Sequence, residues 1–250
     1  MSRLDWLTAR PIAHRGYHDR ASGRIENTLA AAAAAVERGF AIECDLQITA
    51  DGEVVVFHDD TLDRLTESTG RIDRTSLVDI RKARFRDGDA RVPTLEDLLD
   101  LVDGRVPLVI ELKSRWNGDR RLEQVVAGIL AAYSGPMAVM SFDPASMVAM
   151  RRLAPELARG MTADHFPAGD WPMLSWPVRF ASRNLLSAPF VLPSFVAYGV
   201  KALPASAPLA LRHFFRRPLL TRTVRTAADL VVARRWADQI IFEGFDPDAA

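Results

Sequence analysis

The feature that most constrains the fold of this 250-residue chain is a regular alternation of short apolar runs with longer helix-like segments. Eight runs have the length of strands, and they read P-I-A-H-R-G, F-A-I-E-C-D-L-Q, V-P-L-V-I-E-L-K, P-M-A-V-M-S-F, A-R-G-M-T-A-D, S-F-V-A-Y-G-V, P-L-L-T-R-T-V and D-Q-I-I-F-E. Nearly continuous apolar strands that alternate with helices are typical of a parallel sheet covered on both faces. Eight such units predict an α/β fold, a (β/α)8 TIM barrel, because these barrels need ~250 residues. A doubly wound open sheet is the competing fold, but no G-x-G-x-x-G or P-loop motif follows the first strand.

Two helix starts are also visible in the sequence. Thr28 precedes an alanine-rich run and is predicted to cap it, and Gly39 stands where that helix should end. Thr94 follows Pro93 and is predicted to cap a second helix. Both helices therefore fall between predicted strands, as a barrel requires.

One apolar run breaks the alternation. V-V-V-F-H follows the second strand after only A-D-G-E, which is too short for the crossover that a parallel neighbour needs. Asp51-Gly52 favours a two-residue type I′ hairpin turn. A turn centred there pairs Asp45 with His58 and Glu43 with Asp60, and so predicts that these four side chains lie on one side of the hairpin.

The residues after the hairpin fit no barrel strand. Between His58 and Pro93 the chain is mostly polar, and we interpret positions 59–92 as a small insertion after the second strand. With that insertion, residues 1–250 are predicted to form a single TIM-barrel domain.

Ionisable side chains gather at the carboxyl ends of the first predicted strands, where barrel enzymes carry their catalytic residues. They are His14, Arg15, Glu43, Asp45, Glu111 and Lys113, with His58 joining them from the hairpin. Three carboxylates in one pocket raise one another's pKa unless a positive charge lies among them. A divalent cation supplies that charge, and an all-oxygen ligand set favours Mg²⁺ or Ca²⁺ over Zn²⁺. The histidines then remain free for proton transfer, and the basic residues for a phosphate.

Composition narrows the class of partner. The formal net charge of +0 gives no global attraction to nucleic acid or to an anionic membrane. The single cysteine, Cys44, excludes an internal disulfide and a cysteine-based zinc site. The first residues lack the apolar core of a signal peptide, and the uncharged stretch 184–200 is short and broken by prolines. We therefore expect a cytoplasmic protein that acts on a small molecule without membrane insertion, with its oligomeric state left open.

The sequence resembles the glycerophosphodiester phosphodiesterase family. The motifs that carry the resemblance are H-R-G at 14–16, E-N-T at 26–28, E-C-D at 43–45, T-A-D-G at 49–52, H-D at 58–59, V-P-T-L at 92–95 and E-L-K at 111–113. The resemblance implies a TIM barrel with an insertion after the second strand. It also implies an acid/base pair in His14 and His58, cation ligands in Glu43, Asp45 and Glu111, and phosphate contacts in Arg15 and Lys113.

The activity that the resemblance implies is hydrolysis of glycerophosphodiesters, such as glycerophosphocholine, to sn-glycerol 3-phosphate and an alcohol. A lysophospholipase D with the same catalytic set is the nearest alternative, and a non-catalytic metabolite-binding barrel is a further one. A zinc hydrolase of the amidohydrolase type is disfavoured, because the first strand has H-R-G where such enzymes have an H-x-H ligand pair. The sequence leaves open which histidine is the acid, and whether water or a glycerol hydroxyl is the nucleophile.

Some positions have two interpretations. Arg222 stands where the family usually has a tryptophan, and it either admits a more anionic substrate or is merely tolerated. Glu26 and Asn27 lie near the mouth, where Asn27 supports the site or only caps the helix. The aromatic-rich stretch 166–220 is interpreted as helix packing, with an apolar lid for lysophospholipid chains as the alternative. His18, His165 and His213 are interpreted as structural.

Overall fold

The computed structural model describes residues 4–249, and its central feature is a closed barrel of parallel strands. The nine strands of this part of the chain are β1 (Ile12–Ala13), β2 (Ala41–Ile48), β3 (Val54–Val56), β4 (Leu108–Leu112), β5 (Met137–Ser141), β6 (Ala158–Ala163), β7 (Phe195–Gly199), β8 (Leu219–Val224) and β9 (Gln239–Phe242). All but β3 pair in parallel around the barrel, and β1 closes it by pairing with both β2 and β9. Each of the eight predicted runs coincides with one barrel strand, and β2 extends one residue beyond its run, which confirms the (β/α)8 fold.

Most of the helices lie between consecutive strands and cover the outside of the barrel, whereas the first helix precedes β1. The helices are α1 (Trp6–Ala9), α2 (Leu29–Glu37), α3 (Leu77–Lys82), α4 (Leu95–Val102), α5 (Arg121–Leu130), α6 (Pro144–Leu153), α7 (Trp176–Arg183), α8 (Ala188–Val191), α9 (Ser206–Phe215) and α10 (Ala227–Trp236). Thr28 and Thr94 cap α2 and α4 as predicted, and Gly39 has a left-handed φ of 64° after α2. None of the helices within residues 4–249 is long and apolar enough to cross a membrane.

The alternation of side chains along the strands places the charged residues inside the barrel. Ile42 and Cys44 on β2 point outward into the core shared with the helices. Ala41 lies on the opposite face, in an apolar layer that fills the amino end of the barrel together with Leu7, Ile12, Val109, Ala138, Met140, Phe195, Ala197, Leu220 and Ile241. Glu43 and Asp45 continue the face of Ala41, so they lie inside the barrel above this apolar layer.

The predicted hairpin is present, but its register differs by one residue from the prediction. Strand β3 runs antiparallel to β2, with the pairs Leu46–Val56, Gln47–Val55 and Ile48–Val54. The predicted pairs Asp45–His58 and Glu43–Asp60 are therefore wrong.

The cause is the length of the turn. The Thr49 amide donates to the Glu53 carbonyl at 2.9 Å, so three residues, 50–52, form the turn instead of two. Gly52 has a φ of 90°, the left-handed conformation that ends a three-residue hairpin loop. The Thr49 hydroxyl also accepts a 2.9 Å hydrogen bond from the Glu53 amide, which stabilises this longer turn. His58 lies beyond the end of β3, so the irregular chain after the strand, and not the pairing, determines its position.

The segment between β3 and α4 has a small apolar core of its own. Its members are Ile25, Val55, Phe57, Leu62, Ile72, Ile80, Ala83, Phe85 and Val92. Val55 belongs to the hairpin and Ile25 to the loop before α2, so this core fixes the segment against the side of the barrel mouth. His58 lies at the start of this segment, directly after Phe57, so the packing of the small apolar core holds His58 in place.

Candidate active site

Three buried carboxylates converge at the carboxyl end of the barrel. Glu43, Asp45 and Glu111 each have an oxygen within 4.8 Å of the others, and the register of β2 with β4 places Asp45 beside Glu111. Glu43 Oε1 and Glu111 Oε2 accept no hydrogen bond from the described residues. Burial, together with the charges of Asp45 and Glu111, raises the pKa of Glu43 to about 8. This carboxylate trio has the oxygen donors of a site for a hard divalent cation, and two of those oxygens are free to bind one.

Two basic side chains contact the carboxylate trio from above. Lys113 Nζ lies 2.8 Å from Asp45 Oδ1 and also pairs with Glu111, and Arg222 Nη1 lies 3.4 Å from Glu111 Oε2. Burial opposes ionisation of Asp45, but the charges of Lys113, His58 and Arg15 outweigh it and hold the pKa of Asp45 well below its usual range. Asp45 is therefore ionised at neutral pH, and Glu43 is the member of the trio that retains a proton most readily.

Asn27 and the backbone of Arg15 orient the two carboxylates of β2. Asn27 Nδ2 donates to Asp45 Oδ2 at 2.8 Å, and its Oδ1 accepts from the Asp45 amide at 3.3 Å. The Arg15 amide donates to Glu43 Oε2 at 3.0 Å, and Arg15 Nε lies 3.2 Å from Asp45 Oδ2. Because Thr28 is the residue that caps α2, Asn27 supports the carboxylate trio instead of ending the helix.

A chain of ion pairs connects Arg15 to His58. Arg15 Nη1 donates to Glu26 Oε1 at 2.6 Å, and Arg64 donates to the same Glu26 oxygen at 2.7 Å. Arg64 also donates to Asp59 at 2.5 Å, and Asp59 Oδ1 lies 2.7 Å from His58 Nδ1. Glu26 thus positions Arg15. Asp59, from the H-D motif at 58–59, and Arg64, which the sequence analysis did not single out, fix one face of His58.

His14 is buried beside the carboxylate trio. Its Nδ1 contacts Glu243, and its Nε2 lies 3.9 Å from Glu43 Oε2 without a hydrogen-bond partner among the described residues. Since Glu243 accepts the proton on Nδ1, the tautomer assigned from this contact leaves the lone pair of Nε2 facing the trio. Burial lowers the pKa of His14 to about 4, against the opposing effect of the Glu243 hydrogen bond. His14 is therefore a neutral proton acceptor at neutral pH.

Glu243 is another site residue that the sequence analysis missed. It follows β9, and besides His14 it contacts Arg225 and lies 3.5 Å from His18 Nε2. His18, interpreted from sequence as structural, thus lies beside a residue of the site. The available signal was the E of D-Q-I-I-F-E, which has the same position at a strand end as the other charged residues.

His58 lies on the more open side of the site and is half-buried. The Gln47 side chain donates to the carbonyl of His58 at 3.2 Å and also to that of Asp59. Gln47 follows Asp45 on the inward face of β2, so a buried strand residue determines where the loop with His58 lies. The two predicted histidines are brought to the same mouth but differ in environment, because one is enclosed and the other faces the cleft.

The cleft at this mouth has a volume of about 720 Å³ and two chemically different walls. Its lining residues include His58, Glu111, Lys113 and Arg222 on the charged wall and Trp116, Phe142, Trp171 and Met173 on the apolar wall. The Arg222 guanidinium lies 5.1 Å from the centre of the Phe142 ring, so it stands between the two walls. A cavity of about 610 Å³ at the amino end of the barrel contains none of the predicted site residues.

Comparison with known sequences identifies relatives. Residues 14–200 match the glycerophosphoryl diester phosphodiesterase family. A glycerophosphodiester phosphodiesterase from Caldanaerobacter subterraneus is 34% identical over 160 residues, which are 60% of this chain and 65% of that protein. One from Bacillus subtilis is 32% identical over 169 residues, covering 58% of this chain and 56% of the relative. The chain thus spans between about half and two thirds of the length of these curated relatives.

Solved structures share the fold. A phosphodiesterase from Oleispira antarctica, solved in complex with the product sn-glycerol-3-phosphate, superimposes with a TM-score of 0.76 at 22% identity, over 94% of this chain and 92% of that one. A glycerophosphodiester phosphodiesterase from Thermotoga maritima has a TM-score of 0.71 at 21% identity, over 93% and 94%. At these identities the likeness establishes the barrel architecture alone.

Proposed function

Because the chain belongs to the glycerophosphoryl diester phosphodiesterase family, we propose that it hydrolyses glycerophosphodiesters, such as glycerophosphocholine or glycerophosphoethanolamine, to sn-glycerol 3-phosphate and an alcohol. The observation that carries the proposal is the position of His14, whose Nε2 lies 3.9 Å from Glu43 within the buried carboxylate trio. A proton acceptor beside a cation site, under a cleft with basic side chains, is the arrangement that phosphodiester hydrolysis requires.

The proposed cofactor is one divalent cation, Mg²⁺ or Ca²⁺, held by Glu43, Asp45 and Glu111. These residues fit such an ion, because their donors are all oxygen and because two carboxylate oxygens accept no hydrogen bond from the described residues. Zn²⁺ fits less well, since all three carboxylate ligands offer oxygen whereas Zn²⁺ prefers nitrogen or sulfur donors. When bound, the cation would neutralise charge at the phosphate and lower the pKa of a coordinated hydroxyl.

The phosphate is proposed to bind between three cationic side chains. Lys113 and Arg222 reach the carboxylate trio from the cleft, and Arg15 reaches it from the first strand. Arginine and lysine are the usual donors to phosphate oxygens, and charge-assisted hydrogen bonds of this kind are about twice as strong as neutral ones. Glu26 holds Arg15 in place, so its role is to position the arginine, not to contact the substrate.

Proton transfer is proposed to divide between the two histidines. His14 accepts the proton of the attacking hydroxyl at Nε2, and Glu243 stabilises the imidazolium that forms. A new P–O bond forms as the bond to the head-group oxygen breaks, and His58 donates a proton to the departing alkoxide. His58 is assigned the acid role because it faces the cleft, where the head group leaves, and because Asp59 binds its Nδ1. If the attacking group is a glycerol hydroxyl, the product is a cyclic phosphate, which water then opens.

The identity of the products tests this proposal. Purified protein is incubated with glycerophosphocholine or glycerophosphoethanolamine and each of the two cations, and phosphorus NMR follows the conversion. A new phosphate monoester with the shift of sn-glycerol 3-phosphate supports the proposal. Unchanged diester under every condition contradicts it.

A further inference from the structure

Charge is distributed unevenly along the chain. Residues 171–228 contain eight arginine and lysine residues and no aspartate or glutamate. Because the whole chain has a formal net charge of +0, the remaining residues carry a net charge of −8. The acid-free segment extends from the loop before α7 to the start of α10, and it includes β7 and β8. Charge of one sign over so long a stretch creates a local positive field that the total of zero conceals.

The acid-free segment also exposes large apolar side chains. Phe214 and Phe215, in the last turn of α9, are 83% and 64% exposed, and Phe190 and Leu192, at the end of α8, are 69% and 54% exposed. The chain passes from α8 into β7 and from α9 into β8. Because β7 and β8 are parallel neighbours, all four side chains lie at the amino end of the barrel, the end opposite the carboxylate trio.

Two arginines without ionic partners adjoin these apolar side chains. Arg216 and Arg217 follow Phe215 directly and are exposed. Neither pairs with a carboxylate among residues 4–249, whereas the nearby Arg212 pairs with Asp238 at 2.7 Å. Within the described part of the chain, nothing therefore neutralises the charges of Arg216 and Arg217. We call the exposed residues at this end the amino-end patch, which consists of Phe190, Leu192, Phe214, Phe215, Arg216 and Arg217.

The composition of the amino-end patch favours a lipid surface as its partner. Aromatic rings beside arginines are typical of protein surfaces that lie at a membrane, because the rings enter the head-group layer while the cations bind lipid phosphates. Protein surfaces carry charges of both signs, so a face that docks a protein usually includes carboxylates as well as arginines. An anionic membrane repels every carboxylate, and residues 171–228 contain none.

We propose that the protein binds peripherally to anionic membranes through the amino-end patch, with Phe214 and Phe215 in the head-group layer and Arg216 and Arg217 on lipid phosphates. The attraction is local, so it is compatible with the net charge of +0. In this orientation the cleft with the carboxylate trio faces away from the membrane, toward the water in which glycerophosphodiesters dissolve. The inference goes beyond the proposed function and does not depend on it, because membrane binding requires no turnover.

Vesicle sedimentation tests the inference. The purified full chain is mixed with vesicles of phosphatidylcholine alone, or of phosphatidylcholine and phosphatidylglycerol in equal amounts. The protein should bind only the vesicles with phosphatidylglycerol, and more weakly as salt is added, because counterions screen the arginines. Arg216→Gln and Arg217→Gln should each weaken binding about fivefold. Phe214→Gln and Phe215→Gln should each weaken it by about tenfold, since each removes an apolar ring from the lipid interface. An unchanged circular dichroism spectrum shows that each variant folds.

Two control variants lie away from the amino-end patch and should bind as the wild type does. Arg91→Gln removes an exposed arginine of the insertion, which also pairs with no carboxylate among residues 4–249. Trp176→Gln removes an aromatic side chain that is 67% exposed at the start of α7.

Several results would overturn the inference. One is a wild type that binds neither kind of vesicle, or both equally. Another is binding lost in Trp176→Gln but retained in Phe214→Gln, because a different face would then contact the membrane. A dimer that Phe214→Gln dissociates, seen by size-exclusion chromatography with light scattering, would mean that a second copy covers the amino-end patch. Binding to duplex DNA in place of vesicles, lost in Arg216→Gln, would assign the arginines to nucleic acid.

Discussion

Glu243 contacts Nδ1 of His14 and thereby directs the other ring nitrogen of that histidine toward Glu43. The two residues are 229 positions apart in sequence, and they meet because β9 pairs with β1 to close the barrel. The contact fixes the buried imidazole of His14 in one tautomer. The proposed proton transfer therefore depends on the pairing of β1 with β9 that closes the barrel.

Glu243→Gln should lower kcat by roughly 10- to 100-fold, with little change in KM. The amide oxygen can still accept the Nδ1 proton, but the charge that stabilises the imidazolium is lost, and a hydrogen bond to a charged group contributes ~1.5–3 kcal/mol. Steady-state kinetics on glycerophosphocholine measure the effect. Asp248→Asn, which removes an exposed carboxylate paired with Arg10 at 2.8 Å, is the control. Equal kcat values for Glu243→Gln and wild type would refute the role of Glu243.

His14→Ala and His58→Ala should each lower kcat by ~10²–10⁴-fold, because each removes a group that transfers a proton in the reaction. The two variants should differ with the substrate. A diester whose leaving group is p-nitrophenol needs no protonation as it departs, so it should restore most of the turnover of His58→Ala and little of that of His14→Ala. His213→Ala, an exposed position on α9, provides the control. Rescue of His14→Ala in place of His58→Ala would reverse the assignment of acid and base.

Asn27→Gly should weaken cation binding by roughly 10- to 100-fold, the typical effect of removing a residue that orients a metal ligand. Asn27 makes hydrogen bonds to both the side chain and the amide of Asp45, and glycine tolerates the φ of 56° at this position. Calorimetric titration of the EDTA-treated protein with Mg²⁺ or Ca²⁺ measures the affinity, and kcat at saturating cation should recover most of its wild-type value. Asn117→Gly removes an exposed asparagine as the control. An unchanged affinity would mean that Asn27 does not position Asp45.

The stability of the cation-free protein should depend on pH through Glu43. The folded protein raises the pKa of this carboxyl from the ordinary 4.5 to about 8, so between these values the folded state binds more protons than the unfolded state. The stabilisation from Glu43 is therefore complete below about pH 4.5 and is lost as the pH rises toward 8, by at most about 1.4 kcal/mol per pH unit. Urea unfolding in EDTA, compared between wild type and Glu43→Gln, isolates this contribution. Parallel stability curves for the two proteins would contradict it.

The barrel could be predicted from sequence because its strands are short, largely apolar runs, and most of them are followed by a gap long enough for a helix. The main site residues could be predicted for a related reason. Charged side chains such as Glu43 and Glu111 have no place in a buried strand unless they face its functional end. Both predictions depend only on the order of apolar and charged residues within each strand, and that order is retained in the folded barrel.

The register of the hairpin could not be predicted from the same kind of pattern. Asp51-Gly52 favours a two-residue turn, but the hydrogen bonds between Thr49 and Glu53 favour one residue more, and a single residue changes every pair. The partnership of His14 with Glu243 was also hidden, because only the closed barrel brings the two residues together. Gln47 was overlooked because a polar residue in a strand gives no sign of the loop that it binds.

The most direct measurement is release of sn-glycerol 3-phosphate from glycerophosphocholine by protein treated with EDTA and then supplied with Mg²⁺, Ca²⁺ or neither, alongside the Glu43→Gln variant. We expect release that depends on added cation in the wild type and is reduced by ~10² or more in the variant at every cation concentration. Release that persists in EDTA, or a Glu43→Gln variant that matches the wild type, would contradict a cation-dependent phosphodiesterase centred on the carboxylate trio.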